Sequence, residues 1–596
     1  MDDAEMDKVI TFVFRNGNRF FIELFTLDDP MPNSWDYIRV RCRTSPATDS
    51  NMALVSIKSW LANCIITHGL SDGLCNSPEF PPLPLRVVDV GLEDGVVRLV
   101  EPQEGRGKYV CLSHCWGGVH LTMTTLATLA GYKNLIAWNS LSPTFRDAIS
   151  LVRRLGIRYI WIDSLCMIQD DIRDWETESS KMASIYRNSH FTIAATHSPN
   201  GEGGLFQATP DFRVSGESPD GEQYCLYFRE KIDHHIESTG GYDSRSGYPT
   251  AVYYPLLTRA WVYQERMLST RVIHFGRYEV FFECHSGVEC ECNRISEEDA
   301  EGSYRALIKI EHASTLSYYD FGRAWRYYST LHYRCAALWR TIVLCYTSLL
   351  LTKSTDRLPA IGGMARDMAA RRKSNYLAGL WEESLLDDLI WVIAPASNNK
   401  RPRPHPRNAP TWSWASVESP IRYWDEILYT DREGDTFAED RLPYKHFCKV
   451  ENCEVKYSAV DEFGRLSHGF LTISGLVMEG VLEYGVEQHG STESLSYCLS
   501  FLSKRIAMWP DYLIGHPGPG ETRSGTRVLC LRMGMVQEGM GYHIRDSLVS
   551  LVLKESTAFP GFFERIGTIV ITAKPPPIDP LGGIFGDAYS RTVTIV

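Results

Sequence analysis

The stretch from residue 159 to residue 196 constrains the fold more than any other part of the chain. It opens with Tyr159 to Ile162, an aromatic and β-branched run that predicts a buried strand. The aspartates that follow can cap a helix ending near Asn188, and residues 191–195 predict a second strand. The stretch therefore predicts a strand–helix–strand unit, in which the two strands are usually parallel.

Polar side chains follow the first of these strands directly. Asp163, Ser164 and Cys166 stand where the strand gives way to a loop. In sheets of this kind, ligands bind outside the carboxyl ends of the parallel strands. The sequence therefore places its best candidate site at this rim of the sheet.

Length and composition predict a large folded protein. A chain of 596 residues is too long for one core, so we expect two to four domains. The net charge of −12 argues against binding of nucleic acid, which favours a basic surface. The longest apolar run, residues 341–351, is about half the ~20 residues that a membrane span needs. Because the acidic N-terminus shows no signal-peptide pattern, we expect a cytoplasmic protein with reduced cysteines.

Changes in pattern along the chain predict four segments. Residues 1–85 read as a hairpin and a helix that precede the main domain. An α/β domain is expected over residues 86–295, followed by a helical region over residues 296–420. Short β-rich runs between glycine and proline turns predict a β-rich module over residues 421–596.

Two groups of cysteine and histidine side chains are candidate zinc ligands. They are Cys64, His68 and Cys75, and, later in the chain, Cys284, His285, Cys290 and Cys292. The first group lacks a fourth ligand, and the spacing within the second fits poorly around one tetrahedral ion. We therefore expect no metal site from the sequence, and interpret these residues as packed, reduced side chains.

Four blocks of sequence resemble the fungal heterokaryon-incompatibility (HET) domain. They are YVCLSHCWG at 109–117, FRDAI at 145–149, LGIRYIWIDSLCMIQD at 155–170 and RAWVYQER at 259–266. The resemblance covers roughly residues 109–268, a little over a quarter of the chain. It says little about the flanking segments.

The resemblance implies non-self recognition, with growth arrest or programmed cell death when incompatible fungal cells fuse. It also implies a protein partner, such as an allelic incompatibility factor, or self-association. The family is similar to TIR domains, which implies a TIR-like, flavodoxin-like α/β fold with a parallel sheet. Some TIR domains hydrolyse NAD with a helical glutamate, so NAD is a candidate substrate and no other cofactor is expected.

Three hypotheses compete for the rim. In the first, Glu178 stabilises positive charge on a ribose while His114 or Asp163 assists, as in hydrolysis of NAD. The residues that would then contact NAD are Ser113, Trp116, Gly117 and Cys166. The competing interpretation makes Glu178 a structural helix residue that pairs with Lys181 or Arg187.

The second hypothesis makes Cys115 or Cys166 a nucleophile with His114 as its base. In the third, the motif is structural and acts in signalling without catalysis. An ion pair from Asp163 to Arg259 or Arg266 would then join the blocks. The remaining residues assigned to this structural motif are Trp161, Trp261, Gln264 and Glu265.

Overall fold

The computed structural model divides the chain into two compact units, residues 1–321 and 322–596. It describes residues 9–13, 19–27, 38–69, 73–92, 94–103, 105–118, 122–219, 221–232, 254–293, 309, 312–313, 331–394, 401–423, 445–458, 461–489, 492–501, 504–515, 521–538, 545–573 and 588–596. Within these residues, no helix is both long and apolar enough to cross a membrane. The segment boundaries expected from the sequence stay predictions.

The first unit combines short strands with six described α-helices. Its strands are β1 (Val9–Val13), β2 (Arg19–Thr26), β3 (Arg39–Val40), β4 (Val87–Asp89), β5 (Arg98–Val100), β6 (Tyr109–Ser113), β7 (Tyr159–Ile162), β8 (Thr192–Ala194), β9 (Phe212–Glu217), β10 (Gln223–Glu230), β11 (Arg271–Phe275), β12 (Val280–Cys284) and β13 (Val288–Cys290). Its helices are α1 (Asn51–Asn63), α2 (Leu129–Asn134), α3 (Pro143–Arg154), α4 (Asp163–Cys166), α5 (Ile172–Asn188) and α6 (Ala260–Leu268). A π-helical turn, Cys64–His68, extends α1.

The expected N-terminal hairpin is present. Strands β1 and β2 pair antiparallel, with Thr11 opposite Phe21. They belong to a small sheet in the order β1-β2-β10-β9, with β3 parallel to β2.

An eight-stranded sheet forms the centre of the unit. Its order is β13-β12-β11-β8-β6-β7-β4-β5. The four middle strands are parallel, whereas β4, β5, β12 and β13 join by antiparallel pairing. The expectation of a parallel sheet is therefore correct only for the middle of a mixed sheet. Those middle strands are almost entirely buried, which explains their continuous apolar sequences.

The helices beside this sheet begin where the sequence predicts. The Ser142 side chain caps α3 by accepting from the Phe145 N–H, and Asp171 caps α5 in the same way. Met182, Ile185 and Tyr186 form the buried stripe expected for α5. The strand–helix–strand prediction is thus confirmed.

The second unit contains α7 (Leu331–Thr347), α8 (Pro359–Arg372), α9 (Leu385–Asp388) and a large antiparallel sheet. Its strands are β14 (Tyr376–Leu377), β15 (Leu380–Trp381), β16 (Trp391–Ile393), β17 (Ile421–Tyr423), β18 (Lys445–His446), β19 (Cys448–Tyr457), β20 (Leu466–His489), β21 (Thr492–Phe501), β22 (Lys504–Pro510), β23 (Arg527–Glu538), β24 (Arg545–Glu555), β25 (Phe563–Ala573) and β26 (Tyr589–Ile595). Strands β18 to β26 form one sheet, which confirms the β-rich C-terminal module.

Within the expected helical region, the apolar periodicity of residues 376–393 predicts a helix, and this prediction is wrong. The chain there forms β14, β15, the short helix α9 and β16. Ala378 and Gly379 both have positive φ and turn β14 back onto β15. A Cβ at Gly379 would lie 2.7 Å from Nε1 of Trp414, so the close approach of that indole favours glycine and a turn.

Candidate functional site

The carboxyl ends of β6 and β7 lie side by side, because these strands pair in parallel with Leu112 opposite Ile162. His114 directly follows β6, and Asp163 directly follows β7 as the first residue of α4. The sequence predicts a candidate site at this rim, and Nδ1 of His114 lies 3.8 Å from Oδ1 of Asp163 there. We use the name rim cluster for five residues at this rim: Ser113, His114, Trp116, Asp163 and Glu265.

A buried hydrogen bond connects two distant parts of the chain at the rim cluster. The Ser113 hydroxyl donates to Oε2 of Glu265 at 2.5 Å, although the two residues are 152 positions apart. Glu265 lies on α6, and its neighbours Gln264 and Arg266 are buried as well. The contact therefore holds α6 against the end of β6.

Glu265 has an unusual proton affinity. The pKa of its carboxyl is raised from 4.5 to about 7, mainly by burial and also by the negative charge of Asp163. Hydrogen bonds from Ser113 and Tyr186 and the charge of Arg259 act in the opposite direction. The carboxyl therefore carries a proton in a large fraction of molecules near neutral pH.

Asp163 is the second carboxyl of the rim cluster. Trp116 donates its indole N–H to Oδ2 at 3.0 Å, and the Ser164 N–H donates to Oδ1 at 2.7 Å. The side chain is 22% exposed, which leaves it accessible to a small molecule or a partner. A partly exposed carboxyl thus stands beside a buried one.

His114 is buried behind Asp163. Its Nδ1 is 3.8 Å from Oδ1 of Asp163, too far for a hydrogen bond, and its ring packs edge-on against Phe145. Burial lowers the pKa of His114, more than the charge of Asp163 raises it, so the imidazole is neutral at pH 7. Within the described residues, its Nε2 has no hydrogen-bond partner. A neutral histidine with an unpaired nitrogen can accept or donate a proton.

Gly117 contacts a neighbouring loop. Its φ is +65°, and a Cβ at this position would lie 2.1 Å from Cβ of Asn200. Of the two reasons for glycine at this position, a ligand or a loop, the structure supports the loop. The expected contact of Gly117 with NAD therefore has no support in the geometry.

The two cysteines at the rim are buried and protonated. Burial raises the pKa of the Cys115 thiol to about 11 and that of Cys166 to about 12. A thiol is a poor nucleophile until it loses its proton. The geometry thus disfavours the cysteine-nucleophile hypothesis.

Glu178 lies apart from the rim cluster. Its side chain is buried on α5, and its Oε1 is 2.8 Å from Nζ of Lys181, the structural pairing that the sequence allowed. It lines a cleft of about 540 Å³ together with Tyr109 and residues 82–85. None of the residues of the rim cluster lines this cleft. In the described part of the chain Glu178 makes no hydrogen bond or ion pair with His114 or Asp163, although its charge and that of Asp163 both act on the Cys166 thiol.

The expected ion pair from Asp163 to Arg259 or Arg266 is wrong. Arg266 donates from Nε to Glu283 of β12 at 2.8 Å, in a buried group that includes Lys309. Arg259 forms no salt bridge with Asp163 in the described part of the chain. A hydrogen bond from Trp116 takes the place of the expected ion pair.

The tryptophans of the motif pack as expected. Trp161 is fully buried, with its ring centroid 5.6 Å from that of Tyr186. Trp261 packs edge-on against Trp175 of α5 at 6.4 Å. These contacts join α5 and α6 to the sheet.

Sequence reasoning underestimated Glu265. It treated this residue as part of a structural motif, whereas the structure makes it the buried carboxyl of the rim cluster. A signal was present in the pattern, because Glu265 stands on the same side of a short helix as the apolar Val262 and Leu268. A carboxyl on an apolar helix face indicates burial with a specific partner.

Comparison with known proteins identifies one family. Residues 109–265 match the family model described as HET, heterokaryon incompatibility protein. The matched range begins with β6 and ends at Glu265, so the Ser113–Glu265 contact joins its two ends. Neither the curated proteins nor the solved structures gave a match.

Proposed function

Since the chain carries a heterokaryon-incompatibility domain over residues 109–265, we propose that it acts in fungal non-self recognition. Fusion with an incompatible cell would activate it, and growth arrest or programmed cell death would follow. In this proposal the domain works in the cytoplasm as a signalling and assembly module.

One observation carries the proposal. The hydrogen bond between Ser113 and Glu265 joins the first and last blocks of the matched range. The bond from Trp116 to Asp163 joins the first block to the middle one. Buried polar contacts of this kind favour a single arrangement of the segments that they connect. The motif therefore stabilises one conformation of the domain and of the surface that it presents.

A module of this kind needs a partner. We propose a protein, either an incompatibility factor encoded by a different allele or a second copy of this chain. A nucleic-acid partner is disfavoured by the net charge of −12.

The proposal is tested by induced expression of the full chain in a filamentous fungus. We expect the wild-type chain to stop hyphal growth in cells that also carry an incompatible partner. Glu265→Ala removes the acceptor of the Ser113 hydroxyl and leaves a buried polar group unpaired, so this variant loses growth arrest. The measurement is colony extension at matched levels of accumulated protein.

The control is Glu101→Ala, because the Glu101 side chain is 37% exposed and pairs only at the surface with Lys133. This variant keeps growth arrest. Normal growth of cells that accumulate folded wild-type chain with an incompatible partner present would contradict the proposal.

A second function is favoured by a specific observation. The four parallel strands have the order β7-β6-β8-β11, which is 2-1-3-4 in order of sequence. Flavodoxin-like sheets share this order and bind ligands at the carboxyl ends of their central strands. Asp163 and Glu265 lie at these strand ends, the first partly exposed and the second buried. Enzymes use such a difference in surroundings to make one carboxyl a charged stabiliser and the other a proton donor.

The alternative function is hydrolysis of NAD at the bond between nicotinamide and ribose, as in TIR-like enzymes. Water would add to the ribose carbon, nicotinamide would leave with the bonding electrons, and one proton would be released. Asp163 would stabilise the positive charge that develops on the ribose.

This alternative is tested by incubating the full-length chain with NAD and separating nicotinamide by chromatography. Asp163→Asn would abolish the release of nicotinamide. Glu178→Gln is the comparison variant, because loss of release in this variant would point to the cleft on α5 and not to the rim cluster. Absence of nicotinamide at all protein concentrations, with growth arrest intact, would exclude the enzymatic function.

A further inference from the structure

The fold supplies the ligand that the first cysteine–histidine group lacks in sequence. Cys64 and His68 lie on the π-helical turn that extends α1, and Cys75 lies in the loop beyond it. Cys284, the last residue of β12, reaches the same point. One ligand atom from each of the four residues lies within 4.8 Å of the other three.

We propose that Cys64, His68, Cys75 and Cys284 bind one zinc ion per chain. Three thiolates and one imidazole form a Cys₃His set, which is common in structural zinc sites. Ligand atoms around a tetrahedral zinc ion stand about 3.5–3.8 Å apart, given Zn–S and Zn–N lengths of about 2.3 and 2.0 Å. The sulfur of Cys284 is already 3.3 Å from Nδ1 of His68.

Burial makes this a closed site. Cys64, Cys75 and Cys284 have no exposed surface, and His68 is partly buried. With four protein ligands in place, no coordination position is left for water or substrate. These features indicate a structural site and not a catalytic one.

The residues around the sulfurs are suited to thiolates. Arg271 donates from Nε to the sulfur of Cys64 at 3.2 Å, and its Nη2 donates to the carbonyl oxygen of Cys75 at 2.7 Å. The Ser286 N–H donates to the sulfur of Cys284 at 3.4 Å. One Zn²⁺ with three thiolates and a neutral imidazole would form a site of net negative charge, which a guanidinium and N–H donors to the sulfurs stabilise.

The local backbone also fits a ligand role. The Gly69 N–H bonds to the carbonyl oxygen of Cys64, five residues earlier, which defines the π-helical turn. Such turns are rare and occur frequently at functional sites. Here the turn carries two of the four ligands, Cys64 and His68.

Zinc accounts for all four residues, whereas a disulfide accounts for only two. A disulfide between any two of the sulfurs would leave the third cysteine and His68 without a function. The 16 cysteines of the structure are all free thiols. A zinc ion would also fasten the N-terminal helix to the central sheet, because 216 residues separate His68 from Cys284.

The first test is the metal content of the full-length wild-type chain. The chain is purified without a histidine tag and dialysed against zinc-free buffer. Its metal content is then measured by inductively coupled plasma mass spectrometry. We expect about one zinc per chain. Replacement by Co²⁺ should give the visible bands of a tetrahedral ion and an ultraviolet thiolate-to-cobalt transition. Absence of zinc, or a Co²⁺ spectrum without thiolate character, would overturn the proposal.

The second test compares Cys284→Ser with Cys290→Ser. Cys290 is also buried, on the adjacent strand β13, and its sulfur lies 3.5 Å from that of Cys292 in a separate group that includes Glu279. We expect Cys284→Ser to lose the zinc and Cys290→Ser to keep it. Zinc that is lost with Cys290→Ser but kept with Cys284→Ser would overturn the proposed ligand set. A count of reactive thiols two short of 16 in the unfolded wild-type chain would show a disulfide and overturn it as well.

Discussion

At the scale of residues, the rim cluster separates two carboxyl groups by their surroundings. Asp163 keeps contact with solvent and accepts an indole N–H, whereas Glu265 is buried against Ser113. Burial opposes the charged form of a carboxyl and raises the pKa of Glu265 to about 7. The domain therefore contains a group whose protonation changes near neutral pH.

This difference predicts a pH dependence of stability. The pKa of Glu265 is about 7 in the folded chain and near 4.5 in the unfolded chain, so the folded chain binds the proton more tightly. The resulting stabilisation is complete below about pH 4.5 and is lost as pH rises through about 7. Its full size is on the order of 3 kcal/mol.

The measurement is urea unfolding of wild type and Glu265→Gln from about pH 5 to about pH 8. The variant removes the titrating group, so the advantage of wild type over the variant should shrink as pH rises. Glu101→Gln should follow the wild-type profile, because Glu101 is an exposed residue. Parallel profiles for wild type and Glu265→Gln would refute the prediction.

Some residues of the rim cluster could be found from sequence and others could not. Asp163 and His114 follow predicted strands directly, so the rule about carboxyl ends places them together. Glu265 lies on α6, 152 residues after Ser113, and no local sequence pattern predicts that these two residues are in contact. The family resemblance points to Glu178, which lines a cleft that none of the residues of the rim cluster lines.

At the scale of elements, a buried ion pair fixes the start of α5. Arg86 donates from Nη2 to both carboxylate oxygens of Asp174 at 2.5 and 2.6 Å, and from Nε to the Cys166 carbonyl at 2.7 Å. Asp174 also accepts the Ile168 N–H at 2.8 Å. These contacts tie the segment before β4 to the loop between α4 and α5.

We predict that Arg86→Met destabilises the first unit by about 3–5 kcal/mol. The substitution keeps an apolar stem but leaves the Asp174 carboxylate, which is only 12% exposed, without its cationic partner. Lys133→Met is the matched control, because its ion pair with Glu101 is exposed and contributes about 1 kcal/mol or less. Equal midpoints of urea unfolding for the two variants would show that the Arg86 pair is not buried in solution.

The elements themselves could be predicted where periodicity and caps agree. Helices α3 and α5 begin at Pro143 and Ile172, directly after the capping residues Ser142 and Asp171. The stretch 376–393 has apolar spacing typical of a helix, but a turn at Ala378 and Gly379 packs against Trp414 and breaks it into short strands. The contact of Gly379 with Trp414 joins residues that are far apart in the chain, so the periodicity of residues 376–393 alone does not predict it.

At the scale of the whole molecule, the chain consists of two compact units. The first has a core around the central sheet, including Val110 and Trp161. The second has its own core, including Leu482 and Leu548. The matched range, the rim cluster and the proposed zinc ligands all lie in the first unit. The Cys₃His set could not be assembled from sequence for the same reason as the rim cluster, because Cys284 comes from a distant strand.

Two separate cores predict two calorimetric transitions for the full-length chain. Leu482→Ala creates a cavity in the second core, so it should lower the free energy of unfolding of the second unit by about 2–5 kcal/mol. The midpoint temperature of one of the two transitions should fall accordingly. Arg86→Met should lower the other midpoint. A single transition that moves with both substitutions would contradict the division into two units.

We propose that the matched domain acts in signalling, with Glu265 as a structural residue and not as a catalytic acid. Glu265→Gln tests it most directly, because glutamine keeps an oxygen that accepts from Ser113 but does not transfer a proton as an acid or a base. The measurement is growth arrest in the fungal expression assay at matched protein levels. Our account predicts that Glu265→Gln still arrests growth while Glu265→Ala does not. Loss of growth arrest in Glu265→Gln, with the variant folded and its release of nicotinamide from NAD abolished, would contradict it.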